Sequence, residues 1–210
     1  MKMIGLYETL HAHYGDLHWW PAKTPYEVIV GAILTQNTAW SNVEKAIANF
    51  GDRLKPETVE EADIAELAEI IQPAGFFNQK AVYLKAVTAW FARYGYDVQA
   101  VQRVPLEEAR AELLSVKGVG QETADSILLY AFGFPTFVVD AYTVRLCERY
   151  PIHAGKGYAA VKKYYEQSLP HDAEVYNNFH ALIVINAKDH CRKKPVCADC
   201  PLCETCMKLV

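Results

Sequence analysis

The stretch that decides the fold is V-K-G-V-G-Q-E-T-A at residues 116–124, where two glycines stand one residue apart before a helical pattern. A turn before a helix presents backbone N–H groups that attract an anion such as phosphate. A Walker loop would require G-K-[ST] at the proper spacing, and a dinucleotide fingerprint would require a preceding strand. Neither is found, which leaves an ordinary helix connection or a helix–hairpin–helix turn that contacts a DNA backbone.

The rest of the chain is helical in pattern almost throughout. The best strand candidate, residues 137–139, is too short to build a sheet. Helix-capping signals at Thr24 and Asp63 precede apolar residues at helical spacing. The sequence therefore predicts an all-α fold of two packed lobes without a flexible linker, with later helices at residues 80–94, 105–114, 121–132, 143–150, 158–167 and 174–187.

Composition and charge restrict the function. The 210 residues are 51% hydrophobic and 22% charged, as in an ordinary globular protein. No apolar run reaches the roughly 18 residues of a membrane helix, and no signal peptide is visible, so we expect a cytoplasmic protein. The net charge of −4 argues mildly against nucleic-acid binding. Binding to DNA would require a shared basic face formed by Lys80, Lys85, Lys117 and residues 192–194.

Five of the six cysteines fall in the last 20 residues, at Cys191, Cys197, Cys200, Cys203 and Cys206. A disulfide framework would spread its cysteines through the chain, whereas this crowding indicates a metal site. Zinc favours two C-x2-C hooks separated by a longer stretch, and a compact loop of this kind suits a cubane cluster better. Spacing alone favours [4Fe–4S] over zinc and leaves both open.

Asp140 ends the apolar run P-T-F-V-V-D at residues 135–140. Its carboxylate is expected to be at least partly desolvated. Such a group serves either as a helix N-cap or in chemistry, and the two roles can coexist.

Together, these features resemble the helix–hairpin–helix DNA glycosylases of the endonuclease III type. The match covers almost the whole chain and includes L-T-Q-N-T at 34–38, G-F-F-N-Q-K-A at 75–81, G-V-G-Q-E-T-A at 118–124, V-V-D at 138–140 and the cysteine loop. The resemblance implies a helical bundle at residues 23–136 and a second lobe at 1–22 and 137–210, with a cluster loop at 187–210. It also implies a [4Fe–4S] cluster, a monomer, and double-stranded DNA with damaged bases as partner.

The resemblance assigns roles to individual residues. The family loop is spaced C-x6-C-x2-C-x5-C, whereas Cys191, Cys197, Cys200 and Cys206 give C-x5-C-x2-C-x5-C and Cys203 is extra. The fourth ligand therefore stays open between Cys206 and Cys203. By position, Gln36 would fill the space that the flipped base vacates, and Phe76 would be the wedge beside the orphaned base. The hairpin residues Lys117, Gly118 and Gly120 would contact the DNA phosphate. Core packing is the alternative for Phe76.

Glu122 departs from the family pattern. Bifunctional members have a lysine nucleophile at this position, and glutamate cannot form its Schiff base. The resemblance therefore predicts a monofunctional glycosylase without AP-lyase activity. Asp140 would stabilise the developing oxocarbenium ion and orient or activate a water. Whether Glu122 contacts the flipped base or only caps its helix stays open.

The base is predicted from aromatic residues. Trp19 and Trp20 in H-W-W-P at 18–21, with Trp40, would form an aromatic pocket beside Glu122, and core packing is the alternative. Aromatic faces attract cations, and N-alkylated purines such as 3-methyladenine are positively charged. The combination resembles the 3-methyladenine glycosylase branch. The alternatives are a uracil or thymine/guanine mismatch glycosylase, and a non-catalytic damage-binding or redox-sensing iron–sulfur protein.

Overall fold

The computed structural model describes residues 3–17 and 19–207, so His18 of the aromatic flank lies outside the described residues. Within these ranges the fold is all-α and contains no strand, as predicted. The helices are α1 Met3–Tyr14, α2 Pro25–Leu34, α3 Trp40–Phe50, α4 Pro56–Glu61, α5 Ile64–Ile70, α6 Phe77–Ala92, α7 Val98–Gln102, α8 Leu106–Ser115, α9 Gln121–Ser126, α10 Ala141–Arg149, α11 Tyr158–Ser168 and α12 Ala173–Asp189.

The chain divides into two compact units. The terminal unit comprises Met1–Pro21 and Pro135–Val210, and the central unit comprises Ala22–Phe134. In the terminal unit, α12 packs against α1 and α10. In the central unit, α2 is buried on nearly every side and forms the middle of the core. Among the described residues, no helix combines the length and apolar character that a membrane crossing requires.

The two capping signals form as predicted. The Thr24 hydroxyl accepts a hydrogen bond from the Glu27 backbone N–H at 3.1 Å, and Pro25 occupies the first turn of α2. Asp63 accepts one from the Glu66 N–H at 2.7 Å and starts α5.

Several helix bounds differ from the predictions. Helix α6 begins at Phe77, three residues before the predicted start, because Phe76 takes a left-handed conformation with φ 47° and ends the preceding turn. Helix α9 gives way to a π-helical turn at Ile127–Ala131, where a continuous helix was predicted. The bounds of α10, α11 and α12 lie within two residues of the predicted ones.

Candidate functional site

The hairpin between α8 and α9 requires glycine at residue 118. Gly118 has φ +87°, and a Cβ atom placed there would lie 2.1 Å from Cγ of the Tyr83 ring. The Val119 N–H donates to the Val116 carbonyl at 3.1 Å and closes the turn. Gly120 is the N-cap of α9. The G-V-G sequence thus forms a tight turn whose two exposed positions are Lys117 and Gly120.

A buried ion pair holds the two hairpin helices together. The Arg110 guanidinium donates to both carboxylate oxygens of Asp125, at 2.8 and 3.0 Å. The Asp125 side chain is fully buried. The pair therefore joins α8 to α9, and loss of Arg110 would leave an uncompensated buried charge on Asp125.

Gln36 and Phe76 have different surroundings in the central unit. The Gln36 side-chain amide donates to the Gly118 carbonyl and to the Thr123 hydroxyl, both at 3.0 Å. It is therefore attached to the hairpin. Phe76 is 67% exposed, so the alternative of core packing is wrong for this residue.

Lys80 lies inside the central unit. Its side chain is only 2% exposed, and its Nζ donates to the Leu34 carbonyl at 2.7 Å and the Ala74 carbonyl at 2.8 Å. Burial lowers the pKa of Lys80 to about 8. The Lys85 ammonium donates to the backbone carbonyls of residues 60 and 62. The expectation that Lys80 belongs to a DNA-facing basic surface is therefore wrong, whereas for the half-buried Lys85 it stays a prediction.

Glu122 lies in the first turn of α9 and is exposed. A carboxylate at this end of a helix interacts favourably with the helix dipole. Trp40, the first residue of α3, is half-buried in the same central unit.

Asp140 is the N-cap of α10 in the terminal unit. Its Oδ1 accepts hydrogen bonds from the Thr143 backbone N–H at 2.8 Å and the Thr143 hydroxyl at 3.0 Å. Its Oδ2 lies 3.5 Å from Nε2 of His180. Burial acts to raise the pKa of Asp140, but His180 and the bonds from Thr143 outweigh it, so the pKa lies below its ordinary value. Capping therefore uses one oxygen and leaves the other beside the imidazole.

Sequence reasoning missed His180. It lies on α12, is 5% exposed, and is flanked by buried Phe179 and Ala181. A histidine in an apolar helix face gives no local signal of a partner 40 positions away. The residues leading to Asp140 are also held from a distance, because Glu166 accepts the Phe137 N–H at 2.9 Å.

The tryptophans of the terminal unit are half-buried. The indole N–H of Trp19 is buried and has no hydrogen-bond partner. The Lys188 ammonium lies 5.5 Å from the centroid of the Trp19 ring, within the range of a cation–π contact. A cation from the protein itself thus already occupies one face of this ring.

The five clustered cysteines line one cavity, together with Leu146, Asn186 and Leu202. The Arg149 guanidinium donates to the Cys191 sulfur at 3.3 Å, and the Cys206 thiol donates to the Arg149 carbonyl at 3.2 Å. Arg149 also donates to the carbonyls of Arg192 at 2.6 Å and Lys193 at 3.3 Å. One side chain therefore holds the start of the cysteine loop.

Cys200 lies close to other thiols of the loop. Burial raises its pKa, and the neighbouring thiols of Cys197, Cys191 and Cys206 raise it further. In residues 3–17 and 19–207, no three His, Cys, Asp or Glu side chains are arranged to hold a metal ion. The donors thus suit an iron–sulfur cluster in type and shared location, but they do not converge in this structure.

Comparison with known proteins gives consistent matches. Residues 30–171 match the family model described as HhH-GPD superfamily base excision DNA repair protein. A Methanocaldococcus jannaschii protein named “Putative DNA repair glycosylase” is 47% identical over 207 residues, covering 96% of this chain and 94% of that protein. A thymine/uracil-DNA glycosylase of Pyrobaculum aerophilum is 29% identical over 194 residues, covering 89% and 81%. The crystal structure of H. pylori 3-methyladenine DNA glycosylase bound to 1,N6-ethenoadenine aligns with TM-score 0.76 at 25% identity, covering 90% and 98%.

Proposed function

The chain belongs to the HhH-GPD superfamily of base excision DNA repair proteins, and within this DNA glycosylase family we propose that it is a monofunctional enzyme for alkylated purines such as 3-methyladenine. It would flip the damaged base out of double-stranded DNA and hydrolyse its N-glycosyl bond.

The observation that carries this proposal is the environment of Asp140. Its lowered pKa keeps the carboxylate ionised at neutral pH. Oδ1 is fixed by Thr143, while Oδ2 makes no contribution to the helix cap. A fixed negative charge of this kind stabilises the positive charge that develops on the sugar, and it can orient a water for attack. The carboxylate needs no rearrangement at the moment of reaction, because the fold already holds it.

The absence of AP-lyase activity is proposed from Glu122. A carboxylate cannot form the Schiff base through which lyases cleave the strand. Borohydride is expected to trap no covalent complex with damaged DNA. A trapped complex would contradict this part of the proposal, and its persistence in Lys117→Arg would exclude Lys117 as the amine.

The alkylated-purine assignment is supported by the similarity to the 3-methyladenine glycosylase and by Trp19 and Trp20 in the terminal unit. A second candidate, removal of thymine or uracil, is favoured by a specific contact. Because Lys188 already lies over Trp19, a cationic base would be repelled from that face. The Pyrobaculum aerophilum relative also supports this candidate.

One substrate panel tests both candidates. Single-turnover base release is measured with duplexes that contain 3-methyladenine, 1,N6-ethenoadenine, uracil or a thymine/guanine mismatch. Release of the alkylated purines is expected, and it should be lost in Asp140→Asn. Release of uracil or thymine alone would overturn the alkylated-purine proposal in favour of the second candidate. Release of no base would overturn both.

We also propose that the cysteine loop binds a [4Fe–4S] cluster through Cys191, Cys197, Cys200 and Cys206, with a role in holding the loop folded or in electron transfer. The support for the cluster is the cavity that the five cysteines share, and the ligand set is the one that the family resemblance implies. Purified protein should be brown, with about four iron and four sulfide per chain. Cys203→Ser should keep this content and Cys206→Ser should lose it. Colourless protein with one zinc would contradict the cluster, and the reverse pattern would contradict the ligand assignment.

A further inference from the structure

Lys80 connects two turns of the central unit. Its two acceptors are the carbonyls of Leu34, the last residue of α2, and Ala74, the last residue of the 3₁₀ turn Gln72–Ala74. Gln36 follows Leu34 by two residues, and Phe76 follows Ala74 by two residues. One ammonium group therefore holds the backbone just before both residues that are proposed to enter the duplex.

The physical setting explains why a lysine is buried here. The last carbonyls of a helix have no intrahelical partner, and the C-terminal end of a helix attracts positive charge. Lys80 meets two such ends at hydrogen-bonding distance and is only 2% exposed. Burying a charge without compensation is costly, so these carbonyls are what make the position tolerable.

The residues on the two turns have different surroundings. Phe76 is 67% exposed and has the left-handed backbone angle φ 47°. Gln36 is attached to the hairpin through Gly118 and Thr123, not to the Phe76 turn. Lys80 thus supplies a direct link between the two turns.

We propose that Lys80 is a positioning residue, whose buried ammonium fixes the spacing of the Gln36 and Phe76 turns so that both side chains enter the DNA duplex together. This inference rests on the proposed glycosylase function. Lys80 itself does not contact DNA or the reacting atoms. Its loss should impair opening of the duplex more than the chemical step.

The test uses full-length protein and a duplex that carries a tetrahydrofuran abasic analogue opposite 2-aminopurine. Insertion beside the orphaned base changes 2-aminopurine fluorescence, and this readout needs no base release. At saturating protein, Lys80→Met is expected to reduce the fluorescence change at least threefold. Lys80→Gln is too short to reach both carbonyls, and it should reduce the change as well if the methionine variant fails to fold.

Thr88→Val is the matched control. Thr88 is fully buried on the same helix, α6, and its hydroxyl lies 2.7 Å from that of Tyr26 on α2. The change removes a buried contact between α2 and α6 and leaves both turns intact. A full signal in this variant, after thermal melts have shown a comparable loss of stability, supports the proposal. An equal loss of signal in Thr88→Val would overturn it.

A double-mutant cycle adds a readout that general destabilisation does not move. If Lys80 acts by positioning Phe76, then Lys80→Met should reduce the signal little further once Phe76→Ala is present. Independent, additive losses would overturn the proposal, as would a full signal in both Lys80 variants or no signal with the wild type. Failure to release any base, with the fluorescence pattern intact, would overturn the proposed glycosylase function alone.

Discussion

Replacement of Asp140 separates its structural role from its chemical one, because the residue caps α10 with only one of its two oxygens. Asparagine caps helices as well as aspartate, so Asp140→Asn should change the free energy of unfolding by only a few tenths of a kcal/mol through the cap. Alanine removes the cap and should cost about 1 kcal/mol. In a chain of this size, that corresponds to a fall of about 2–4 °C in Tm.

The expected effect on activity is different, because both changes remove the negative charge. Loss of one preorganised electrostatic group at a reacting centre costs about 10²–10³ in rate. Asp140→Asn and Asp140→Ala should therefore lose base release to a similar extent. Both variants lose the interaction of the carboxylate with His180, and only the alanine variant also loses the cap. Single-turnover release and thermal melts, measured on the same preparations, check this.

Asp172 provides the matched control in the same unit. It caps α12 by accepting the N–H groups of Glu174 at 2.8 Å and Val175 at 3.0 Å. Asp172→Ala should lose about 1 kcal/mol of stability while keeping full activity. If this variant loses base release as Asp140→Ala does, the losses come from destabilisation. If Asp140→Asn retains base release, the carboxylate is a cap and nothing more.

Three further predictions concern other parts of the chain. Because the pKa of Lys80 in the folded state is about 8, the unfolded state binds more protons than the folded state between about pH 8 and 10.5. The free energy of unfolding of the wild type, measured by urea titration, should therefore rise across this range by up to about 3 kcal/mol relative to that of Lys80→Met. Gly118→Ala should weaken duplex binding about tenfold in fluorescence titrations, through the strained φ and the clash with Tyr83, and unchanged binding would contradict this. Arg149→Met should accelerate the loss of cluster absorbance at about 400 nm under a chelator, because the side chain holds the loop carbonyls; an unchanged rate would contradict this.

The helices could be predicted because their signals are local. Thr24 and Asp63 cap helices with their own side chains, three residues from the N–H they bind. The π-helical turn at Ile127–Ala131 could not be predicted, since it interrupts a stretch whose apolar spacing is that of a regular helix. The early start of α6 depends on the left-handed angle of Phe76, a non-glycine residue for which the sequence gives no warning.

The site was predictable to the extent that a motif is contiguous. The G-V-G turn and the capping option for Asp140 are read from neighbouring residues, whereas the exposure of Phe76 was expected only from the family resemblance. The contact between Asp140 and His180 joins positions 40 residues apart, so no local pattern indicates it. No local pattern indicates the contact between Lys188 and Trp19 either, and this contact affects whether the Trp19 ring would accept a positively charged base.

At Lys80, the apolar periodicity of the sequence and the residue type predict different locations. It stands four residues before Leu84, and Leu84, Val87 and Phe91 all belong to the buried face of α6. Periodicity therefore places Lys80 in the core, yet a positive charge beside a DNA-binding motif suggests a phosphate contact. In the structure Lys80 is buried, as the periodicity predicts. An isolated lysine would be too costly to bury, but two helix ends supply backbone carbonyls that accept hydrogen bonds from its ammonium group. For Lys80, the phase of the buried face was therefore a better guide to its location than its charge.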